Sequence, residues 1–215
     1  MAIGPPSTAA GYVPVNPTLP KLLEAARGCK ACELWKWGTQ TVFGDGGRHA
    51  RVMFVGEQPG DQEDLLGKPF VGPAGKLLDK CLETAGIDRA QVYVTNAVKH
   101  FKWEPRGKRR IHKKPNALET AACRPWLDAE IAVVRPQAVV CLGATAAQAL
   151  LGRGFKVRPQ RGRFVPSRLA PLVMATVHPS SILRAPDDKT RHREIERFID
   201  DLKVLALALC ERRAA

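Results

Sequence analysis

Apolar residues in this chain gather in four short runs, and between the runs the pattern changes to helical spacing. The runs are "RVMFVG" at 51–56, "QVYVTN" at 91–96, "QAVVCLG" at 137–143 and "LVMATV" at 172–177. A run without polar alternation reads as a strand covered on both faces. "PAGKLLDKCLETAG" (73–86) opens with Pro and closes with Gly, as a helix does. "NALETAACRPWLDAEIAVV" (116–134) and "ATAAQALLG" (144–152) also have helical spacing. "DDKTRHREIERFIDDLKVLALAL" is an amphipathic closing helix with Asp at its positive end. Alternating strands and helices predict an α/β protein: three α/β/α layers around a mainly parallel four-stranded sheet. In such sheets ligands sit beyond the carboxyl ends of the strands. The segments there are "GEQPGDQED", "NAVKHFKWEPRGKRRIH" and "HPSSILR", so polar residues far apart in sequence collect at one edge of the sheet.

Length changes this picture little: 215 residues suit one domain, placed at 20–215. Residues 1–19 read as a Pro-rich arm, mobile or strapped over the domain. No run approaches the ~20 apolar residues of a membrane span, and the N-terminus lacks the pattern of an export signal. The expectation is a cytoplasmic protein with no membrane contact. Charge adds more. The chain carries 34 basic and 21 acidic side chains, a net +13, which favours a polyanionic partner. Aromatics make up only 6 %, which argues against a broad stacking platform for single strands.

Six cysteines are present, and without an export signal structural disulfides are not expected. Cys29 and Cys32 form a C-x2-C pair just past a helix ended by Gly28. Two thiolates at that spacing can grip one metal or two corners of an iron–sulfur cluster, or do redox chemistry. Two more ligands are needed. Cys123 lies near the start of a helix, Cys141 lies in an apolar strand, and His100 closes the second strand region. Cys81 and Cys210 lie within helices and read as core.

"GEQPGDQEDLLGKPFVGPAG", "VTNAVKHFK" and "HPSSILR", in that order, resemble the family-4 uracil-DNA glycosylases, and the insert "GKRRIH" resembles their UdgX-type branch. The resemblance covers about residues 20–205. It implies excision of uracil from DNA and a 4Fe-4S cluster on Cys29, Cys32 and Cys123. The family's remaining cysteine falls in a "VKC" motif where this chain reads "VKH", which puts His100 in the ligand position, with Cys141 as the alternative. Uracil-containing DNA, with single strands preferred, is the expected partner of a monomer.

Excision requires a gripped base, a read edge, stabilised charge on the leaving uracil and a nucleophile for the sugar. Phe70 is the candidate stacking ring, and Asn96 offers donor and acceptor to a uracil edge. Gly56 allows a tight turn beside the base, and His178 can donate to a uracil carbonyl oxygen as charge builds there. Within "GKRRIHKK" one histidine, His112, sits among five cations. The branch resemblance implies that His112 is a nucleophile, joined to C1′ of the deoxyribose after uracil leaves. Glu57 could accept its proton, and Gln58 could orient it or displace a hydrolytic water. Lys108, Arg109 and Arg110 are expected to clamp phosphates and to disfavour protonated His112. Ser180, Ser181 and Arg184 complete the expected DNA contacts. The alternatives are an ordinary multiple-turnover glycosylase with a basic gripping loop, or a DNA-binding module without catalysis.

Overall fold

A computed structural model describes residues 8–214. Four parallel strands form the central sheet: β1 (Val52–Gly56), β2 (Val92–Asn96), β5 (Ala138–Leu142) and β6 (Leu172–Thr176), in the order β2-β1-β5-β6. All the residues of β1, β2 and β5 are buried, which explains their unbroken apolar sequence. Alternate residues feed opposite layers. Val52, Phe54, Val92, Val94, Val140 and Met174 pack on α3 (Pro73–Thr84), α7 (Pro179–Leu183) and α8 (Asp188–Ala214). Met53, Val55, Tyr93, Val139, Cys141 and Val173 pack on α4 (Ala117–Val134), α5 (Gly143–Leu151) and α6 (Val157–Gln160).

Helix α4 has no single apolar face because it is covered twice. Leu127 and Ile131 meet the sheet, while Ala122, Cys123 and Trp126 meet α1 (Leu19–Arg27). Its first turn is closed by a capping box, in which Asn116 Oδ1 accepts the Glu119 N–H at 2.8 Å and Glu119 Oε2 accepts the Asn116 N–H at 2.7 Å. Such a cap contributes about 1 kcal/mol. Ala9, fully buried, pins the strap at residues 8–18 into the same cluster as α1 and α4. The core therefore begins before residue 20, and helix α1 starts at Leu19, one residue inside the expected arm. The expected arm's residues 1–7 lie outside the described residues.

The basic insert is not a loop but a two-stranded antiparallel ribbon, β3 (Trp103–Arg106) and β4 (Arg109–His112). Gly107, with φ of 59°, makes the reversal. The short α2 (Asp61–Leu66) follows the "GEQPG" turn and faces this ribbon. Among the described residues no helix is long and apolar enough to cross a membrane.

Candidate active site

A cleft of about 1250 Å³ opens beyond the carboxyl ends of β1, β2, β5 and β6. Glu57, Gln58, Phe70, Asn96, His112 and His178 all line it. These residues come from four separate chain segments, brought together at the sheet edge.

Phe70 and Asn96 line it side by side against Gly56. Asn96, 3 % exposed, ends β2 directly opposite Gly56. A Cβ on Gly56 would overlap the Asn96 side-chain oxygen and lie 2.8 Å from Phe70 Cζ, so only glycine leaves both where they are. Among the described residues no group hydrogen-bonds the Asn96 side-chain amide, which lines the cleft, so a donor and an acceptor stand ready for a ligand. Beneath it, Lys99 Nζ donates to the Asn96 carbonyl at 2.8 Å and to Glu130 at 2.5 Å. Glu130 also accepts from Tyr93 and Thr95, so the buried pair is well satisfied and holds the end of β2 in place.

Phe70 adopts φ of 57°, a strained conformation for a non-glycine residue. Glu63 holds its loop by accepting the N–H groups of Gly60 and Gly72, at 3.1 and 2.8 Å. Gly75 allows α3 to pack on the Phe70 carbonyl, where any Cβ would collide. Phe70 and His178 stand with ring centroids 6.1 Å apart and planes 27° from parallel.

His178 is the N-cap of α7. Its Nδ1 accepts the Ser180 N–H at 3.1 Å and lies 2.8 Å from the Ser180 hydroxyl. Burial pushes its pKa down to about 4, and Arg184 and His112 add to the lowering. The ring is therefore neutral at pH 7, with its proton on Nε2 and a donor left for a ligand. Ser181 donates to the His178 carbonyl at 2.7 Å. Both serines thus serve the cap first, and the exposed Arg184 on the cleft wall is the cation of this segment facing it.

His112 closes β4 at the cleft mouth, with Nε2 3.4 Å from Glu57 Oε1 and about half the side chain exposed. Glu57 is held from behind by the Thr145 hydroxyl. Gln58 does not touch the imidazole. Its amide nitrogen donates to the carbonyls of Lys102 and Lys113, at 3.0 and 3.2 Å, and its oxygen accepts the Lys102 N–H at 3.2 Å. That one side chain fastens both roots of the ribbon that carries His112.

Arg110 departs from the expected phosphate clamp. Its guanidinium pairs with Asp61 and the fully buried Asp64, each at 2.6 Å, and lies over the Phe101 and Trp103 rings. A cation so engaged anchors the ribbon to α2. Lys108 and Arg109, at the ribbon tip, remain exposed. The cause of His112 neutrality also differs from expectation. Burial lowers its pKa most; Glu57 opposes this, and Arg184, not the ribbon cations, adds to the lowering.

Away from the cleft, Cys29, Cys32 and Cys123 meet between α1 and α4 as free thiols. Cys29 Sγ accepts the Trp126 indole N–H at 3.3 Å, and Cys123 Sγ accepts the Lys99 N–H at 3.2 Å. Such N–H···S contacts suit metal-bound thiolates. His100 is 5 % exposed, with Nε2 3.0 Å from Thr41 Oγ1. Because the Thr41 hydroxyl donates to the Ala26 carbonyl, Nε2 is the donor to Thr41 and Nδ1 keeps the lone pair a metal would need. Among the described residues no three Cys, His, Asp or Glu side chains converge on a single ion; a four-iron cluster spreads its ligands wider. Cys141 lies in the sheet's other core cluster, fully buried among Val55, Val139 and Val173.

Several of these residues gave no usable signal in the sequence. Thr145, Glu63, Asp64 and Glu130 each act on a partner between 9 and 88 positions away, Glu63 on the nearby Gly60 as well. Lys99, a charge inside the apolar "NAVKHF" stretch, was the one visible hint.

The fold and cleft define a three-layer α/β protein with a cleft bearing polar side chains at its strand ends. The sequence pattern of the "Uracil DNA glycosylase superfamily" matches residues 43–203, and the chain belongs to that superfamily. It is 35 % identical to a type-4 uracil-DNA glycosylase of Sulfurisphaera tokodaii over 91 % of this chain and 87 % of the relative. It is 37 % identical to type-4 uracil-DNA glycosylases of Pyrobaculum aerophilum and Thermotoga maritima, covering 86 % and 82 % of this chain and 99 % and 86 % of those relatives.

Proposed function

We propose that the chain is a uracil-DNA glycosylase that ends its reaction covalently joined, through His112, to the abasic site it makes. The observation that carries the second half is His112 itself, fixed at the cleft mouth by a ribbon whose roots Gln58 clamps and whose face Arg110 anchors. In this reading the uracil leaves the base stack and lies against Phe70, with Asn96 reading its edge. As the glycosidic bond breaks, its electron pair moves onto uracil, and the donors of Asn96 and His178 stabilise that anion. The sugar is left with oxocarbenium character. The His112 lone pair then forms a bond to C1′, and the ring's N–H proton passes to Glu57 or to solvent. A well-held imidazole outcompetes water because its effective molarity reaches ~10⁵ M or more. The exposed cations Lys108, Arg109 and Arg184 meet the DNA backbone.

The test is a uracil-containing oligonucleotide, single-stranded or duplex, resolved on a denaturing gel. A shifted, SDS-resistant band with one adduct per enzyme is expected. Free abasic product in excess of enzyme is the outcome of the second reading, ordinary turnover, which the type-4 relatives' names favour. The pH profile gives a further check. His112 sits below its ordinary value near 6.5, so the neutral ring persists from alkaline pH down through neutrality. Adduct formation should be flat there and fall only in acid. A midpoint above pH ~6.5 would contradict a lone-pair nucleophile held in this setting.

In the same reading Cys29, Cys32, Cys123 and His100 hold a 4Fe-4S cluster. When bound it would tie the N-terminal turn to α4 and the end of β2, a structural role rather than a redox one. Cys123→Ser should abolish iron and sulfide content and the visible absorbance, while His100→Cys retains all three. Loss of iron in Cys141→Val would assign the fourth position to Cys141 instead.

A further inference from the structure

The ribbon carries a second feature that uracil excision does not use. Trp37, 53 % exposed, projects a large ring into solvent, yet it is held in place. Its carbonyl accepts the Trp103 indole N–H at 2.8 Å, and the two rings meet edge to face at 6.2 Å and 90°. Trp103 lies directly opposite His112 in the β3–β4 register. Directly paired residues of an antiparallel ribbon project from the same face. The Trp37–Trp103 step therefore begins one side-chain row from the histidine at the cleft mouth.

From this geometry we infer a stacking site for one unpaired base adjoining the extruded uracil. The inference deepens the reading of the cleft as a uracil-DNA site and rests on it. The charge around the step favours a nucleotide as occupant. Two positions before Trp37, the Trp35 ring carries Lys30 and Lys36 at 4.8 and 5.9 Å from its centre, while Arg110, 5.7 Å from the Trp103 ring centre, is already paired with Asp61 and Asp64 and braces that ring. Aromatic faces interleaved with cations bind single strands by stacking the base and attracting the phosphate. In a duplex the adjoining base is paired and already stacked on both sides, so Trp37 gains little from it. The site is local, two rings rather than a platform, consistent with the low aromatic content. It favours unpaired over paired DNA.

The test compares wild-type, Trp37→Ala, Trp37→Leu and Trp37→Phe proteins of matched thermal stability. Fluorescence anisotropy measures binding to a labelled, uracil-free single strand and to its duplex, and single-turnover assays measure excision from the uracil-containing versions. Trp37→Ala and Trp37→Leu should weaken single-strand binding and excision efficiency roughly tenfold while duplex values stay within about twofold, as loss of one stacked base implies. Trp37→Phe should keep most of the single-strand advantage. Equal losses on both forms of DNA, no loss on single strands, or Phe no better than Leu would each overturn the stacking site. Because the binding arm needs no uracil, it decides the question even if the wild-type protein released none. That last result would sink the glycosylase reading instead.

Discussion

His112→Ala should erase the SDS-resistant band entirely while uracil release continues. In the proposed reading the bond to uracil breaks through Asn96, His178 and the Phe70 recess, none of which hydrogen-bonds the His112 side chain. What changes is the fate of the sugar cation. With the imidazole gone, water reaches C1′ and the product becomes a free abasic site, released in excess of enzyme. Excision under single-turnover conditions should stay within about tenfold of wild type, since general electrostatic stabilisation of the leaving base is untouched. The ribbon should survive the change. Its roots depend on Gln58 and backbone groups of Lys102 and Lys113, and its face on Arg110 with Asp61 and Asp64. A histidine that merely touched phosphate would behave differently: binding would weaken and the adduct would fall only in proportion. Mass spectrometry of the wild-type adduct should place the deoxyribose on the peptide containing His112. Deoxyribose found on Lys108 or Lys114, or an adduct persisting in His112→Ala, would refute the assignment and leave the glycosylase reading standing.

The sheet was legible because its strands are covered on both sides, so every position is under the same apolar demand. Val52–Gly56 and Ala138–Leu142 show this directly. The ribbon was not legible, for the opposite reason. "WEPRGKRRIH" has little apolar character, and its conformation rests on partners far away: Gln58 to Lys102 and Lys113, Asp64 to Arg110. A charge-rich segment held by long-range ion pairs looks, locally, like any solvated loop. Arg110 was misjudged on the same ground, since nothing near it in sequence supplies an acid. Helix α2, six residues long, is too short for periodicity to register. Two of the candidate site residues stood out because each is a polar group that ends an apolar run: Asn96 after "VYVT", His178 after "LVMATV". Their supports, Glu63, Glu130 and Thr145, do not stand out, because a buried carboxylate or hydroxyl is defined only by what it meets.

Asn96→Ala should lower uracil excision by roughly 10²–10³ in single-turnover rate, the usual cost of removing one donor to developing charge. The side chain has no protein partner among the described residues, so its deletion leaves no broken internal bond. The network beneath should stay intact, because Lys99 and Glu130 engage the Asn96 carbonyl and neighbouring side chains, not the amide. Thermal stability should therefore change little while the rate collapses. Gly56→Ala provides an independent route to the same pair of side chains. Its new methyl would overlap the Asn96 oxygen and press on Phe70 Cζ at 2.8 Å, forcing both from their places without removing either. A comparable rate loss is expected there, now with some loss of stability, because Phe70 already holds a strained backbone at φ of 57° that its surroundings must enforce. Adding Phe70→Leu to Gly56→Ala relieves only the contact with the ring, not the overlap with the Asn96 oxygen, so it should recover part of the stability and none of the rate, since the stacking ring is gone. Full activity in Asn96→Ala would show that uracil's edge is read elsewhere, and full activity in Gly56→Ala would show that the base does not occupy the recess between Asn96 and Phe70.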